Sequence, residues 1–545
     1  MIGAAIRTRI RTAICGSFIL LSVTTAGGAG DCPATGDTVV IATIGDATSM
    51  IPMITSDTAS HEMSAFCYNG LLKYDKDLSL VGDLAQSWRI SEDNLTITFY
   101  LRQNVRFHDG QPYTAHDALF NWRFMVDPAT PTGYSYDYEQ VAEAEVLDDY
   151  TFQVRYAAPY APGLASWTLP QMPRHLLEGQ DPRQSPLSRH PVGTGPYLFR
   201  QWNPGESLTL SYNRDYFEGR PCLDAVVYRI IPDLATIFME LSALGLDWST
   251  LTPVQYQRQA NSEFFQNNFN KYKYLSSSYS FIGWNMRDPR FQDIRIRRAM
   301  SHAIDRREII KGVLLGMGQE ATGPLKPGTY WYNPNVPRYE YDPQKALQLF
   351  KEAGWELAPD GRLRNAGGDP FDFVLITNQG NTSRQNAGVF IQYRLAQVGI
   401  KVDLRVIEWT SFLQEFVNQR RFDAVLLGWT IPPDPSPSLY SVFHSSNRDP
   451  GKLNITGYAS QELDALLEQE LKVLEQTERK VLHDRIQEII ARDQPYTFLY
   501  LPQALPIVHR RFQGIEETSS GISHNFIRWH VPQEQQMRPY IFMER

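Results

Sequence analysis

Two pairs of side chains have residue types that can bind a metal or transfer protons. His108 and His116 flank a tight turn at 109–110, but a turn and a helix start supply no third ligand nearby, so we expect two surface residues rather than a zinc site. The neighbouring acids at 148–149 are typical of a solvated turn. The sequence contains no H-E-x-x-H, G-x-S-x-G or phosphate-binding glycine motif. It therefore predicts a protein that is not an enzyme and that uses no metal or other cofactor.

The histidines lie in a segment, 84–121, whose pattern predicts a strand, a turn and a helix. Four apolar residues alternate with polar ones and predict an edge-like strand with one buried face: Leu95, Ile97, Phe99 and Leu101. Gly110 accepts the positive φ that the tight turn requires. Thr114 is placed to cap a helix that begins at about Ala115. These elements are structural and contain no catalyst.

The composition is that of a large globular protein without a nucleic-acid partner. The 545 residues are 42% hydrophobic, and the length predicts about three or four domain-sized units. The formal net charge of −8 comes without a basic run, which argues against nucleic acid and anionic membrane surfaces as partners. The 28 tyrosines and 11 tryptophans exceed what a core needs, and although most will pack in cores, they fit a protein that buries ligands against aromatic faces.

The N-terminus has the layout of a secretory signal peptide, which we assign to residues 1–30. Three arginines are followed by a short apolar stretch at 13–23 and then by small residues, and this stretch is too short to span a bilayer. We expect cleavage between Ala26 and Gly30 and export to the periplasm. Lipid anchoring at Cys32 is the alternative, but Asp31 stands where a lipoprotein signal needs a small residue.

Apolar patterns along the rest of the chain predict an α/β protein. Strands are predicted at 38–44, 152–156, 197–201, 208–212, 226–231, 400–406 and 422–427. Helices are predicted at 60–72, 343–353 and 385–398, with two core-facing helices, rather than a coiled coil, in 460–492. In the second half helices alternate with strands, which is typical of a largely parallel sheet.

The segment at 84–121 resembles a signature of known proteins. Its pattern W-x-x-S-x-D…T-F-x-L-R-x-x-V-x-F-x-D-G-x-P-x-T-A-x-D is similar to that of bacterial extracellular solute-binding proteins of the peptide and nickel type, family 5. Further landmarks follow in order: G-T-G-P-Y at 193–197, N-R-D-Y-F-E-G-R-P at 213–221, the run at 285–306, Y-D-P-Q-K-A at 341–346, A-G-W at 353–355, the run at 398–409 and R-F-D-A-V-L-L-G-W at 421–429. The resemblance covers nearly the whole mature chain.

The resemblance implies an α/β, two-lobed fold like that of type II periplasmic binding proteins, with an extra subdomain in lobe I. Lobe I would comprise 31–70, 193–280 and 505–545 with the extra subdomain at 71–192, and lobe II would comprise 281–504. The residue pattern agrees, because composition changes near residue 280 and the stretch after about 505 is again strand- and loop-like. Two crossings between lobes would let them close over a ligand.

The resemblance also implies a function. We expect the substrate-binding receptor of an ABC importer, a monomer that captures peptides, with oligopeptides first in line, and delivers them to the permease subunits. The same fold could instead carry a nickel chelate, haem, an opine or an oligosaccharide. From another class, a secreted chaperone-like protein stays open, whereas a hydrolase is disfavoured because no nucleophile–base pair is found.

Two tryptophans match family positions near the ligand: Trp409, and Trp429, which is followed by Thr430. In peptide-binding relatives an Asp three residues after the second Trp pairs with the α-ammonium of the ligand. Here Pro432 occupies that place, and Asp434 matches a later D-P element that is typical of a turn. The departure weakens the expectation of strict free-amine recognition.

Polar residues after two predicted strands complete the predicted ligand-binding set. Asp46 and Ser49 follow the first strand, where ligands gather in open α/β sheets, and Asp46 could take over the ammonium or be a solvated turn residue. Asn378 and Gln379 follow the strand at 371–377, and Asn285 lies near the crossing between lobes; these three are weaker candidates.

Three cysteines remain after removal of the signal peptide: Cys32, Cys67 and Cys222. Cys32 and Cys222 each precede a predicted strand, and the family fold implies that these strands are parallel neighbours, so the two residues could meet the geometry of a disulfide. Cys67 falls on the apolar face of the predicted helix 60–72, where a buried thiol is expected. We predict a Cys32–Cys222 bond, with lipidated Cys32 or a Cys67–Cys222 pair as alternatives.

Overall fold

The computed structural model describes residues 32–519 and 521–540. The predicted signal peptide and its cleavage site lie outside the described residues. Within them, strands form two seven-stranded sheets, one four-stranded sheet and two short hairpins. We call the three large sheets sheet 1, sheet 2 and sheet 3.

Sheet 1 gathers strands from both ends of the chain. In spatial order its strands are Phe269–Lys271, Pro506–His509, Trp248–Thr250, Thr38–Thr43, Ala225–Ile230, Ser207–Tyr212 and Tyr197–Asn203. The first strand of the chain runs parallel to Ala225–Ile230, with Thr38 opposite Ala225. The predicted strands at 38–44, 197–201, 208–212 and 226–231 are therefore present within about two residues of their predicted bounds.

Sheet 2 is built from the second half of the chain. In spatial order its strands are Tyr274–Leu275, Tyr496–Ala504, Ser278–Trp284, Ala424–Thr430, Asp372–Asn378 and Lys401–Ile407, and Gly318–Glu320 pairs with Tyr496–Ala504. Its parallel part, predicted from the alternation of helices and strands, consists of the last three strands of this order.

Sheet 3 contains the strand of the signature segment. Its order is Ala85–Ile90, Thr96–Leu101, Thr151–Tyr156 and Val141–Asp148. Thr96–Leu101 pairs with a neighbour on each side, so the prediction of an edge-like strand was wrong. The alternating pattern indicates that one face of the strand is exposed to solvent, but it does not show whether the strand lies at the edge of its sheet. The short hairpins pair Leu72–Tyr74 with Leu80–Gly82 and Trp355–Leu357 with Leu363–Asn365.

The structure also contains α-helices, most of which bury apolar side chains. They are Thr58–Ser64, Ala115–Val126, Ser135–Glu139, Arg174–Leu177, Leu234–Ser242, Glu263–Asn268, Pro289–Gln292, Ile294–Ala303, Arg306–Gly312, Pro343–Glu352, Thr382–Ala396, Trp409–Ser411, Ser436–Phe443, Gln461–Glu470 and Gln476–Asp493. The predicted helix 60–72 is shorter than expected, because the chain turns away after Ser64 to pair with the loop at 193–197. No helix of the described residues has both the length and the apolar character to cross a membrane.

A two-stranded ribbon carries the chain between sheets 1 and 2. Lys271 pairs with Ile507 in sheet 1, and three residues further on Tyr274 pairs with Ala504 in sheet 2. The outgoing and returning segments therefore run antiparallel side by side, and the residues at 272–273 and Leu505 lie between the two sheets. These are the positions at which a change of backbone angle would rotate one sheet against the other.

A buried charge network ties the ends of the chain into sheet 1. The Arg511 guanidinium lies 3.0 Å from Asp37 and also pairs with Asp247, whose second oxygen lies 2.9 Å from Arg538. Both carboxylates are fully buried and also accept backbone N–H bonds, from Thr38 in one case and Val40 in the other. Burial of paired and hydrogen-bonded charges makes this arrangement specific, since any lost partner leaves a buried charge uncompensated.

A disulfide joins Cys32 to Cys222 with a Cα–Cα separation of 5.4 Å. The two residues precede the parallel strands Thr38–Thr43 and Ala225–Ile230, whose amino ends lie side by side. Cys67 is free and buried.

Peptide mapping of the mature protein under non-reducing conditions should recover Cys32 linked to Cys222 and Cys67 as a thiol. Replacing both linked residues by serine should lower the free energy of unfolding by about 2–4 kcal/mol, because the bond closes a long loop of the unfolded chain. Urea denaturation measures the change. A diacylglycerol on Cys32, or Cys67 linked to Cys222, would contradict the pairing.

His108 is half-buried, and the prediction of a surface position was wrong for it, although His116 is exposed. The His108 ring holds the G-T-G-P-Y turn: Nδ1 accepts the Gly193 N–H at 3.3 Å, and Nε2 donates to the Gly195 carbonyl at 3.1 Å. Desolvation lowers the pKa of His108 from 6.5 to about 4. The neutral ring is therefore the form that the fold stabilises.

The depressed pKa of His108 makes part of the stability depend on pH. Above pH 6.5 the ring is neutral in both folded and unfolded chains, and between pH 6.5 and 4 only the unfolded chain gains the proton. The destabilisation on acidification should reach about 3 kcal/mol. In urea denaturation, the stability gap between the wild type and His108→Gln should shrink over this range. A pH-independent gap for His108→Gln would contradict the account.

Candidate functional site

A cavity of about 1100 Å³ lies between sheets 1 and 2. From sheet 1, the end of the first strand and the strand Trp248–Thr250 line it; from the other side, the end of Tyr496–Ala504 and the loop at 380–383 do so. The carboxyl ends of strands of open α/β sheets are where ligands gather, and here two such sheets contribute to one cavity.

The wall on the sheet 1 side carries three carboxylates and one lysine. The Lys73 ammonium lies 2.5 Å from Glu218 and 3.7 Å from Asp83. Asp83 also accepts hydrogen bonds from the Asn69 amide at 3.0 and 3.1 Å. The third carboxylate, Glu62, faces the cavity from the helix Thr58–Ser64. This wall therefore has more negative than positive charge.

Burial raises the pKa of two of these carboxyl groups. The pKa of Asp83 rises to about 6, because desolvation outweighs the attraction of Lys73. The pKa of Glu62 rises to about 7 through desolvation and, second, repulsion by Asp57. The Glu62 side chain is exposed and lies in the lining of the cavity.

Aromatic rings cover much of the same wall. Phe66 packs edge-on against Phe526 with centroids 4.9 Å apart, Phe526 stacks on Trp248 at 6.0 Å, and Phe66 also contacts Tyr228 at 6.2 Å. All four rings line the cavity, together with Tyr274. They offer apolar faces and ring quadrupoles to a ligand.

The opposite wall presents the N-terminus of the helix Thr382–Ala396. Asn381 caps this helix by accepting the Arg384 N–H, and both Asn381 and Ser383 line the cavity. A helix N-terminus favours negative charge. Gln503 also lines this side, and its Oε1 is buried without a hydrogen-bond partner among the described residues. The two walls thus have complementary electrostatic character.

The two sides of the cavity touch at two glycines. A Cβ added at Gly45 would lie 2.9 Å from the Trp409 ring, and one added at Gly380 would lie 3.0 Å from Ile44. Gly45 and Ile44 follow a strand of sheet 1, whereas Gly380 and Trp409 follow strands of sheet 2. Absence of a side chain at each glycine is what allows this close approach.

None of the eight predicted ligand-binding residues is part of the lining of this cavity. The Asp46 carboxylate accepts bonds from the Trp202 indole at 3.1 Å and the Gly205 N–H at 2.8 Å, and Ser49 Oγ accepts the Ile51 N–H at 3.2 Å. Both side chains thus accept hydrogen bonds from residues on the sheet 1 side of the cavity. Their role as ligand contacts stays a prediction.

The side-chain amides of Asn285 and Asn378, two of the predicted residues, form hydrogen bonds with residues close to the strands of sheet 2. Asn285 is buried and donates to the carbonyls of Phe422 and Arg420 at 2.7 and 3.2 Å. Asn378 is buried and accepts from Arg384 at 3.1 Å, while Gln379 is exposed. The residue that follows them, Gly380, is the one that reaches the cavity.

The two predicted tryptophans make different contacts, and their role at the ligand stays a prediction. Trp409 packs on Gly45 across the interface described above. Trp429 donates to Tyr496 Oη at 3.2 Å and stacks on Phe281. Thr430 is exposed at the end of its strand and lies against a small cavity next to Pro432, away from the large one.

Sequence reasoning missed the ionisable residues that line the cavity: Glu62, Lys73, Asp83, Glu218 and His524. Glu218 belongs to the landmark N-R-D-Y-F-E-G-R-P, which is the one available signal. The others come from segments whose local pattern predicts ordinary helix, hairpin or loop. Among the described residues no group of three or more His, Cys, Asp or Glu side chains could hold a metal ion.

Comparison with known proteins decides the family. The family described as bacterial extracellular solute-binding proteins, family 5, matches residues 79–450. The oligopeptide-binding protein AppA of Bacillus subtilis is 31% identical over 508 residues, which are 91% of this chain and 92% of AppA. The chain belongs to solute-binding protein family 5.

Solved structures confirm the two-lobed fold. AppA from Bacillus subtilis in complex with a nonapeptide is 30% identical, with a TM-score of 0.87 over 92% of this chain and 100% of that one. The periplasmic binding protein DppA from Helicobacter pylori in complex with the peptide STSA is 28% identical, with a TM-score of 0.82 over 91% and 98%. The chain is thus a solute-binding receptor of this family.

The contact at Gly45 predicts that side chains there prevent the two sides from meeting. Gly45→Val should weaken ligand binding about tenfold to a hundredfold, because overpacking against Trp409 costs about 1–3 kcal/mol in the closed form. The unfolding temperature should stay within a few degrees, since an open receptor relieves the clash. Gly323→Ala is the matched control, because no atom lies within 4 Å of a Cβ at that glycine. Isothermal titration with a binding peptide measures the effect; equal affinities would contradict the proposed contact.

Proposed function

We propose that the protein is the substrate-binding receptor of an ABC importer that captures oligopeptides between two lobes and delivers them to permease subunits in the membrane. In this proposal lobe I comprises 31–70, 193–280 and 505–545 and carries the subdomain at 71–192, and lobe II comprises 281–504. The receptor acts in the periplasm as a monomer, performs no chemistry and needs no cofactor.

The observation that carries the proposal is the cavity between the two sheets. Its volume of about 1100 Å³ is slightly above the range of about 300–1,000 Å³ for pockets that hold small molecules. An extended chain of several residues suits such a space better than a single compact metabolite. The similar receptors AppA and DppA are described in complexes with a nonapeptide and with the peptide STSA.

The charge distribution of the walls supports the same ligand class. A peptide has an ammonium and a carboxylate at opposite ends and polar amide groups between them. The acidic, aromatic wall of the sheet 1 side suits the positive end, and the helix N-terminus on the sheet 2 side suits negative or carbonyl groups. Polar groups such as Asn381, Ser383 and Gln503 can bond to the peptide main chain, so affinity would depend little on sequence.

Closure converts binding into a signal for the importer. A ligand that contacts both walls stabilises the closed form, and moving the equilibrium from 1:99 to 99:1 needs about 5.5 kcal/mol of preference. The ribbon between the sheets supplies the axis, and the contacts at Gly45 and Gly380 define how far the lobes approach. No step in this cycle requires a catalytic group.

Native mass spectrometry of the exported protein tests the ligand class directly. We expect bound ligands that fragment as oligopeptides and that are released on mild unfolding of the protein. After incubation with the refolded receptor, the same peptides should be recovered intact. Calorimetry with a nonapeptide mixture should then give a saturable heat. Cleaved peptides would contradict the receptor assignment, and a single non-peptide solute would contradict the ligand class while leaving the two-lobed receptor in place.

A further inference from the structure

Glu62 is a carboxylate that lines the cavity. Among the described residues, no side chain donates a hydrogen bond to its carboxylate or forms an ion pair with it, whereas Asp83 and Glu218 share Lys73. Its side chain is exposed and lies in the lining of the cavity. A carboxylate in this position is stabilised by a ligand that brings a positive charge.

The groups around Glu62 supply no such charge. On its own helix Asp57 repels it, and the hydroxyl groups of Tyr228 and Tyr274 face it from two strands of different sheets. The Nε2 atom of the preceding residue, His61, lies 3.0 Å from the Thr55 carbonyl. The ionised form of Glu62 therefore has no compensating cation until a ligand provides one.

Aromatic faces flank the same position. Tyr228 donates from its hydroxyl to the Glu62 carbonyl at 3.5 Å, and its ring contacts Phe66, which in turn contacts Phe526. All of these rings line the cavity. A cation held by a carboxylate beside aromatic faces gains from both the ion pair and the ring quadrupoles.

We propose that Glu62 binds a positively charged group of the solute, an ammonium or a guanidinium, against this aromatic wall. The inference rests on the proposed function, because it assigns one end of the peptide site. The charge can come from the α-ammonium of a peptide or from a lysine or arginine side chain, since both present N–H donors and a full charge. Glu62 would thereby take the role for which position 432 has only a proline.

Four nonapeptides of alanine, glycine and serine distinguish these sources. One is acetylated and amidated, one has a free amino terminus, one is acetylated with a single lysine, and one is acetylated with norleucine at that position. In calorimetry the wild type should bind at least one cationic peptide tenfold or more tightly than its neutral match. Glu62→Gln should reduce this ratio to about twofold or less and leave affinity for the neutral peptides unchanged.

The pH dependence provides a readout that a loss of packing would not mimic. Between pH 8 and 6 the affinity of the preferred cationic peptide should fall about tenfold as Glu62 gains its proton, given the pKa of about 7. Glu62→Gln should show no such fall. Glu263→Gln is the matched control, because Glu263 is exposed on the helix Glu263–Asn268 and is not part of the cavity lining, and this variant should keep the wild-type slope. Thermal unfolding of each variant checks that the fold is intact.

The outcomes separate this inference from the function on which it rests. If no nonapeptide binds, the peptide-receptor proposal fails and the role of Glu62 fails with it. If all four bind the wild type equally, or if Glu62→Gln keeps the preference for the cationic peptide, the role of Glu62 is wrong and the receptor proposal stands.

Discussion

The buried network of Asp37, Asp247, Arg511 and Arg538 is the interaction on which the rest of the structure depends. Asp37 and Asp247 immediately precede the strands Thr38–Thr43 and Trp248–Thr250 of sheet 1. The network joins both residues to the chain after the strand Pro506–His509. Because breaking a buried ion pair typically costs about 3–5 kcal/mol, the chain is strongly held to return to sheet 1 after building sheet 2. The network therefore fixes two crossings between sheets rather than one.

Two crossings that pair with each other make a hinge of limited freedom. The ribbon is hydrogen-bonded on both sides of the crossing, in sheet 1 at Lys271 and in sheet 2 at Tyr274, and the proposed closure is a rotation of the sheets about it. Opposite the ribbon, the glycine contacts let the strand ends meet over the cavity. Capture of a solute thus follows from chain connectivity, with binding energy used to favour one of two arrangements.

Local patterns predicted most helices and strands, because alternation and helical spacing are properties of a single segment. The resemblance to the family predicted the two-lobed fold. Thr38–Thr43, Pro343–Glu352 and Lys401–Ile407 lie close to their predicted bounds. The candidate site was less predictable, because partners far apart in sequence decide it. Asp46 is bound by Trp202 on a distant hairpin, and Glu62 differs from other helical acids only in what the fold places around it.

Distance measurements between the two sides test the central claim most directly. Met239 and Val389 are 62% and 54% exposed on helices that belong to the sheet 1 and sheet 2 halves, and Cys67 is buried, so spin labels on introduced cysteines would be selective. Pulsed electron paramagnetic resonance should show a broad distribution without ligand that becomes shorter and narrower with a bound nonapeptide. An unchanged distribution in a sample that calorimetry shows to be saturated would contradict closure about the ribbon.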